Sequence, residues 1–211
     1  MFRKTAALLL FCFGISFLAS AQGFEGIIEF KKQTGTNTVN YVYYVKGSQV
    51  RIDEFASGTR DVEGSFILGL KDSSMVYLNH TRKMWGTRTP GTARVAPAGC
   101  VATTTKNSKE LFGYKCIETV VKNTTDNTEI SYFIAPGKFS FFTPMMKILG
   151  RQENFATYLL AVKLKEGSMP LLAIEKDLNG VEKGRLEVTR LEQKVLDAGL
   201  FVTPKDYTQV K

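Results

Sequence analysis

The sequence has a single histidine, three cysteines and one tryptophan in 211 residues. With one imidazole, His80, a multi-histidine metal site and most histidine-based catalytic arrangements lack their parts, and three thiols cannot make a four-cysteine zinc site. There is no Gly-x-Ser-x-Gly elbow, no phosphate-cradling glycine loop and no His-Glu-x-x-His. His80 stands beside Asn79 in a turn and reads as a surface histidine. Asp53 and Glu54 point to opposite faces of one strand, so they cannot act as an acid and base couple. Glu175 and Asp177 share a face but sit beside the Asn179-Gly180 turn as solvated edge charges. No catalytic constellation, metal site or cofactor motif emerges, and we expect a protein that is not an enzyme.

Long apolar runs are equally scarce. The one candidate, Ala6 to Leu18, is 13 residues long, short of the roughly 20 that a membrane-spanning helix needs. It follows a basic start, Met1-Phe2-Arg3-Lys4, and precedes Ala19-Ser20-Ala21, the small-x-small pattern a signal peptidase reads. We therefore expect residues 1–21 to be a signal peptide cleaved after Ala21, and residues 22–211 to form one periplasmic or secreted domain. Loss of Arg3 and Lys4 takes the formal charge from +8 to +6. The remaining cations are dispersed. Their densest group, Arg82, Lys83, Arg88 and Arg94, allows peripheral contact with anionic lipid headgroups, while the absence of any nucleic-acid motif argues against that partner.

Cleavage also leaves two cysteines, Cys100 and Cys116, in a compartment that permits oxidation. We expect a disulfide between them, closing a short loop worth about 3 kcal/mol in the chain-entropy model. Two buried free thiols are the alternative. The spacing is not the Cys-x-x-Cys of a redox pair.

What is abundant is strand patterning. Phe24, Gly26, Ile28 and Phe30 alternate with Glu25, Ile27, Glu29 and Lys31, the period of a strand with one buried face. In residues 39–45, Tyr41, Tyr43 and Val45 share a face while Val42 and Tyr44 put apolar groups on the other, which demands cover on both sides. Gly47-Ser48 turns into residues 49–55, and short strands follow at 65–71, 75–79 and 83–89, the signature of an antiparallel meander. Residues 90–109 read as a long irregular connection with some strand near 101–104. Strands resume at 114–122, 129–135, 170–176 and 183–193.

Helical spacing occurs only between residues 143 and 165. Thr143-Pro144 offers an N-cap and a first-turn proline ahead of Met145, Met146, Ile148 and Leu149, and Asn154 is placed to cap Phe155, Tyr158, Leu159 and Val162 at i, i+3, i+4 and i+7. A sheet this rich in aromatics must curl, and two amphipathic helices laid over its concave side would enclose an apolar space. On that reading Tyr41, Tyr43, Phe66, Leu68, Met75 and Tyr77 line the sheet side of a ligand site, and Met145, Met146, Leu149, Phe155 and Leu159 close it. Methionine suits such a surface because its unbranched thioether adapts to irregular ligands. The same side chains would equally make an ordinary filled core, leaving an envelope interaction or sensor module.

Four segments, Gly23-Phe24-Glu25-Gly26, Tyr44-Val45-Lys46-Gly47 ahead of Val50-Arg51-Ile52, Leu111-Phe112-Gly113-Tyr114-Lys115-Cys116 and Phe201-Val202-Thr203-Pro204-Lys205-Asp206-Tyr207, resemble in order and spacing a bacterial family known as domain of unknown function 4412. Its members look like relatives of the LolA and LppX envelope carriers. The resemblance implies a mainly β (α+β) fold, an unclosed, twisted antiparallel β-barrel with two short helices covering the concave face. We expect no cofactor; the carrier likeness points to a lipid or acyl-chain ligand, with an envelope protein partner as the alternative.

Overall fold

The computed structural model describes residues 23–55, 59, 61–92 and 94–210, so the expected signal peptide lies outside the described residues. The first half of the chain is a meander of six strands, β1 (Gly26–Thr34), β2 (Asn37–Lys46), β3 (Gln49–Phe55), β4 (Val62–Gly69), β5 (Ser74–Asn79) and β6 (Met84–Thr87), each antiparallel to the one before. The second half supplies β7 (Val101–Leu111), β8 (Tyr114–Asn123), β9 (Thr128–Ala135), β10 (Met169–Lys176) and β11 (Glu182–Gln193), again antiparallel. Pairing of β1 with β11 joins the halves, and the short β12 (Thr208–Gln209) adds in parallel to β6. The order β12-β6-β5-β4-β3-β2-β1-β11-β10-β9-β8-β7 leaves β12 and β7 at the two edges, so the sheet is unclosed.

The helices sit between β9 and β10. They are α1 (Phe142–Leu149) and α2 (Asn154–Thr157), the latter running into a 3-10 turn at Tyr158–Ala161. Neither starts on the expected cap. α1 begins at Phe142 with no side-chain cap, because Phe141 and Phe142 are buried anchors while Thr143 is exposed. Glu153 holds the cap position of α2, and the Asn154 amide instead donates to Glu175 at 2.6 Å. The Tyr132 hydroxyl donates to the Phe155 carbonyl (3.1 Å) and that of Tyr158 to Asp126 (2.8 Å), tethering the segment to β9 and the β8–β9 turn. Burial and this bond to Asp126 push the Tyr158 phenol up to about 12.

Two expectations fail at the β7 edge. The connection expected over residues 90–109 is irregular only to residue 100, after which β7 runs eleven residues. As an edge strand exposed along most of its length and bonded on one side, it had no core face to select an apolar and polar alternation. Cys100 and Cys116 are free thiols, which corrects the expected disulfide. Val101 pairs with Lys122 and Lys109 with Cys116, so Cys100 lies at the Asn123 end of β8, its sulfur 3.8 Å from the Asn123 amide nitrogen. Seven strand residues at about 3.3 Å each set the two cysteines roughly 20 Å apart, far beyond the reach of a disulfide. Burial pushes the Cys116 thiol up to about 11 and raises that of Cys100 as well.

The main core lies between the helix-covered face of the sheet and α1, α2 and the 3-10 turn; Ile28, Val45, Ile52, Leu68 and Met145 are fully buried there. A smaller core occupies the opposite face, where residues 194–210 cross the first meander as a strap. Leu196 and Phe201 pack with Ile27, Ile67 and Leu78, joined at the margin by Val42, Tyr44 and Trp85. This strap is the second cover that the two-sided β2 requires.

Polar contacts fix the strap. Lys46 donates to Glu25 (2.9 Å) and to the Leu196 carbonyl (2.8 Å), and Arg51 to the Leu200 carbonyl (3.2 Å). His80 is no surface histidine: its Nε2 lies 2.6 Å from Ser65 Oγ and its Nδ1 2.6 Å from the Tyr207 hydroxyl. Ser65 gives its one proton to Asp53 at 2.5 Å, so counting protons places the His80 hydrogen on Nε2 and makes Tyr207 the donor to Nδ1. Burial, then the Arg51 charge, lower the His80 pKa below 6.5, with Asp53 opposing. The folded state thus favours the neutral ring, and the stability that His80 contributes is present above pH 6.5 and is lost as pH falls below it. Trp85, the one tryptophan, reports on this cluster. Its emission is expected to change between about pH 8 and about pH 5, and not in His80→Asn; the same change in the variant would discard the assignment.

Candidate functional site

α1 and the segment after it lie across the sheet with their inner sides filling the core. Met145 and Ile148 of α1 and Phe155, Tyr158 and Leu159 beyond it are all buried. The space left directly between helices and sheet is consequently small, about 50 Å³, bounded by Tyr41, Tyr43 and Phe155 among others. A much larger cavity of about 800 Å³, partly open to solvent, lies beside it, between α1 and residues 156–164, walled by Leu70 and Ser73 of the β4–β5 turn and by Pro90, Gly91, Thr92 and Arg94. That volume falls in the roughly 300–1,000 Å³ range of small-molecule sites. Phe142, Met146, Arg151, Ala156 and Leu159 form walls of both spaces.

One end of the large cavity is closed backbone to backbone. The Gly91 amide donates to the Ile148 carbonyl at 2.7 Å. Gly150, in the left-handed region at φ 53°, terminates α1 against Gly91; a Cβ there would lie 2.6 Å from the Gly91 Cα. Only glycine serves at Gly150, because the turn needs positive φ and the approach leaves no room for a side chain.

Of the sheet residues expected at a ligand site, Tyr41 and Tyr43 reach the small chamber, whereas Leu68 and Met75 are packed in the core. Phe66 and Tyr77 stack on each other at 5.2 Å, with the Arg88 guanidinium 5.1 Å from the Tyr77 ring. Of the helix residues, Met146 and Leu159 line both spaces and Phe155 the small one, while Met145 and Leu149 belong to the core packing. The wall residues that sequence reasoning missed are Arg151, Lys147, Pro90, Gly91, Thr92 and the apolar stretch through Leu164, while Arg94 figures there only in the basic group expected at lipid headgroups. Their only signal was the helix end at Gly150-Arg151.

Arg151 is the charged centre of the wall. Its guanidinium lies 5.1 Å from the Tyr41 ring centroid and 3.3 Å from Glu153, which Lys32 also approaches at 3.5 Å. Burial works against the Arg151 charge, but Tyr43, Glu153 and Tyr41 outweigh it and its pKa is raised. The Tyr41 and Tyr43 phenols are themselves pushed up by burial. This arrangement holds a fixed cation at an apolar wall and offers no group poised to transfer a proton.

Ser65, His80 and Asp53 form the other constellation with chemical potential, and their proton order is not that of an activated serine. Ser65 is fully buried and donates to Asp53, while His80 Nε2 supplies a proton instead of accepting one, the reverse of an activated serine. Among the described residues no three His, Cys, Asp or Glu side chains gather as a metal site.

Comparison with solved structures returns distant likenesses. An uncharacterized conserved protein from Thermus thermophilus aligns over 88% of this chain and 90% of its own at 12% identity and a TM-score of 0.49. A putative outer membrane lipoprotein-sorting protein domain from Vibrio parahaemolyticus aligns over 87% and 90% at 8% identity and a TM-score of 0.34. A DUF1329 family protein from Desulfovibrio piger aligns over 83% and 88% at 10% identity and a TM-score of 0.32. Comparison with curated protein sequences returned no match. No site residue transfers from similarities this low. The family comparison reaches further: its match begins at Phe24, just ahead of β1, and ends at Tyr207, the strap residue bonded to His80. Spanning both meanders, the helices and the strap, a match over residues 24–207 makes this chain a member of the family described as Domain of unknown function (DUF4412).

Proposed function

We propose that the protein is a non-enzymatic binding protein of the cell envelope, exported by residues 1–21, which holds a lipid or another apolar molecule in the cavity beside α1. The observation that carries this reading is the cavity itself: about 800 Å³ with Phe142, Met146, Leu159, Val162 and Leu164 among its walls. A space of this size, partly open to solvent and walled largely by apolar side chains, has the form of a small-molecule site. Leu160, another wall residue, is 46% exposed, an apolar surface that a bound acyl chain would cover.

The test is titration with a fluorescent long-chain fatty acid. Binding is expected for the parent protein, and Met146→Trp is expected to weaken it by more than about tenfold while leaving the melting temperature nearly unchanged, since the added ring enters open space. Overpacking in a filled core would instead cost about 1–3 kcal/mol. A clear fall in melting temperature, with no binding even by the parent, would dismiss the carrier reading. That outcome would favour the envelope interaction module, which draws its support from the small chamber of about 50 Å³ under the helices.

A further inference from the structure

We infer that the ligand of this cavity is an anionic amphiphile, its carboxylate or phosphate held by Arg94 and Lys147 and its chain lying along the apolar wall. This rests on the reading of the cavity as a ligand site and specifies the ligand's chemistry. Among the described residues the wall includes three cations, Arg94, Lys147 and Arg151, and no carboxylate. Arg151 is already engaged by Glu153 and the Tyr41 ring. Arg94 and Lys147 have no ion pair among the described residues, and both are exposed.

Their placement comes from two separate elements. Lys147 lies in the last turn of α1, where a cation also complements the negative end of the helix. Arg94 belongs to an irregular segment and has no such role, so its position on the cavity wall is unexplained by secondary structure. Much of the remaining wall is apolar, Leu70, Met146, Leu159 and Leu164 among it. Unpaired positive charge on a largely apolar wall complements a molecule that is negative at one end and hydrocarbon along the rest. A neutral lipid would satisfy the wall and leave both cations unanswered.

The experiment compares three long-chain probes of equal chain length, a fatty acid, a monoacylglycerol phosphate and the methyl ester of that fatty acid. Each is titrated into the parent protein and into Arg94→Gln/Lys147→Gln. At low salt the two anionic probes are expected to bind the parent about tenfold more tightly than the ester, a preference that shrinks as salt screens it. The double variant is expected to lose that preference with its affinity for the ester unchanged. Whichever anionic probe binds more tightly identifies the head as carboxylate or phosphate. Equal binding of ester and acid by the parent, or a preference that survives in the variant, would overturn the assignment of the head while leaving the cavity reading intact. Failure of all three to bind would overturn both.

Discussion

Alanine in place of Asp53 is expected to lower the unfolding free energy by about 3–5 kcal/mol, the loss that follows when one partner of a buried ion pair is removed. The Asp53 side chain is 6% exposed and that of Arg51 15%, with Arg51 Nε donating to Asp53 at 2.6 Å. Asp53 also accepts the Ser65 proton. Its removal therefore leaves a guanidinium with little access to water and frees Ser65 to turn its proton elsewhere, which undoes the order of the His80 and Tyr207 bonds. Arg51 further holds the Leu200 carbonyl, so the damage extends to the strap on the face opposite the helices. Asp53→Asn keeps an acceptor for Ser65 and should lose less. Urea denaturation followed by Trp85 fluorescence checks both variants. A loss below about 1 kcal/mol for the alanine would mean that Arg51 rehydrates and that the pair is not structural.

The second large effect is expected at Phe139, where alanine should cost about 3–5 kcal/mol. Phe139 is 1% exposed and sits in a cluster with Tyr114 (5.3 Å), Phe24 (5.7 Å) and Phe141 (6.4 Å). These rings come from β8, the residues ahead of β1 and the connection into α1. The Phe24 amide donates to the Lys138 carbonyl at 2.7 Å, and the Phe139 amide to that of Gly167 at 2.8 Å. Truncation would open a void where both halves of the sheet meet the start of the helix that walls the cavity. Thermal melting should place Phe139→Leu between the parent and the alanine variant. Equal stability of parent and Phe139→Ala would show that the cluster closes over the gap.

Much of the architecture was legible along the chain. The alternation of Ile28 and Phe30 against Glu29 and Lys31 marks β1, and the two apolar faces at Tyr41 to Val45 demand a second cover that the strap supplies. The helices fall where Met145, Ile148, Phe155 and Leu159 recur at helical spacing. Only the start of β7, near residues 101–104, was legible, because an exposed edge carries no such periodicity. Its register, in turn, decided the fate of the cysteines, since residues 100 and 116 are close along the chain but are held at distant points of the β7–β8 hairpin.

The candidate site divides along the same line. Met146 and Leu159 could be named from the helix pattern, because the face of an amphipathic helix is a local property set by 3.6 residues per turn. The position of the open space was not local. It depends on how closely the helices pack onto the sheet, which leaves about 50 Å³ beneath them and about 800 Å³ beside them. It depends equally on Gly91 meeting the sequence-distant Gly150 and carrying Arg94 to the cavity wall. The partners of His80 were settled in the same way, when Ser65 and Tyr207 arrived from β4 and the strap. Periodicity alone determined which residues turn inward and in which kind of element. Which inward residues meet, and where they fail to fill the space, was decided only by register and packing, which join parts of the chain that carry no local signal of one another.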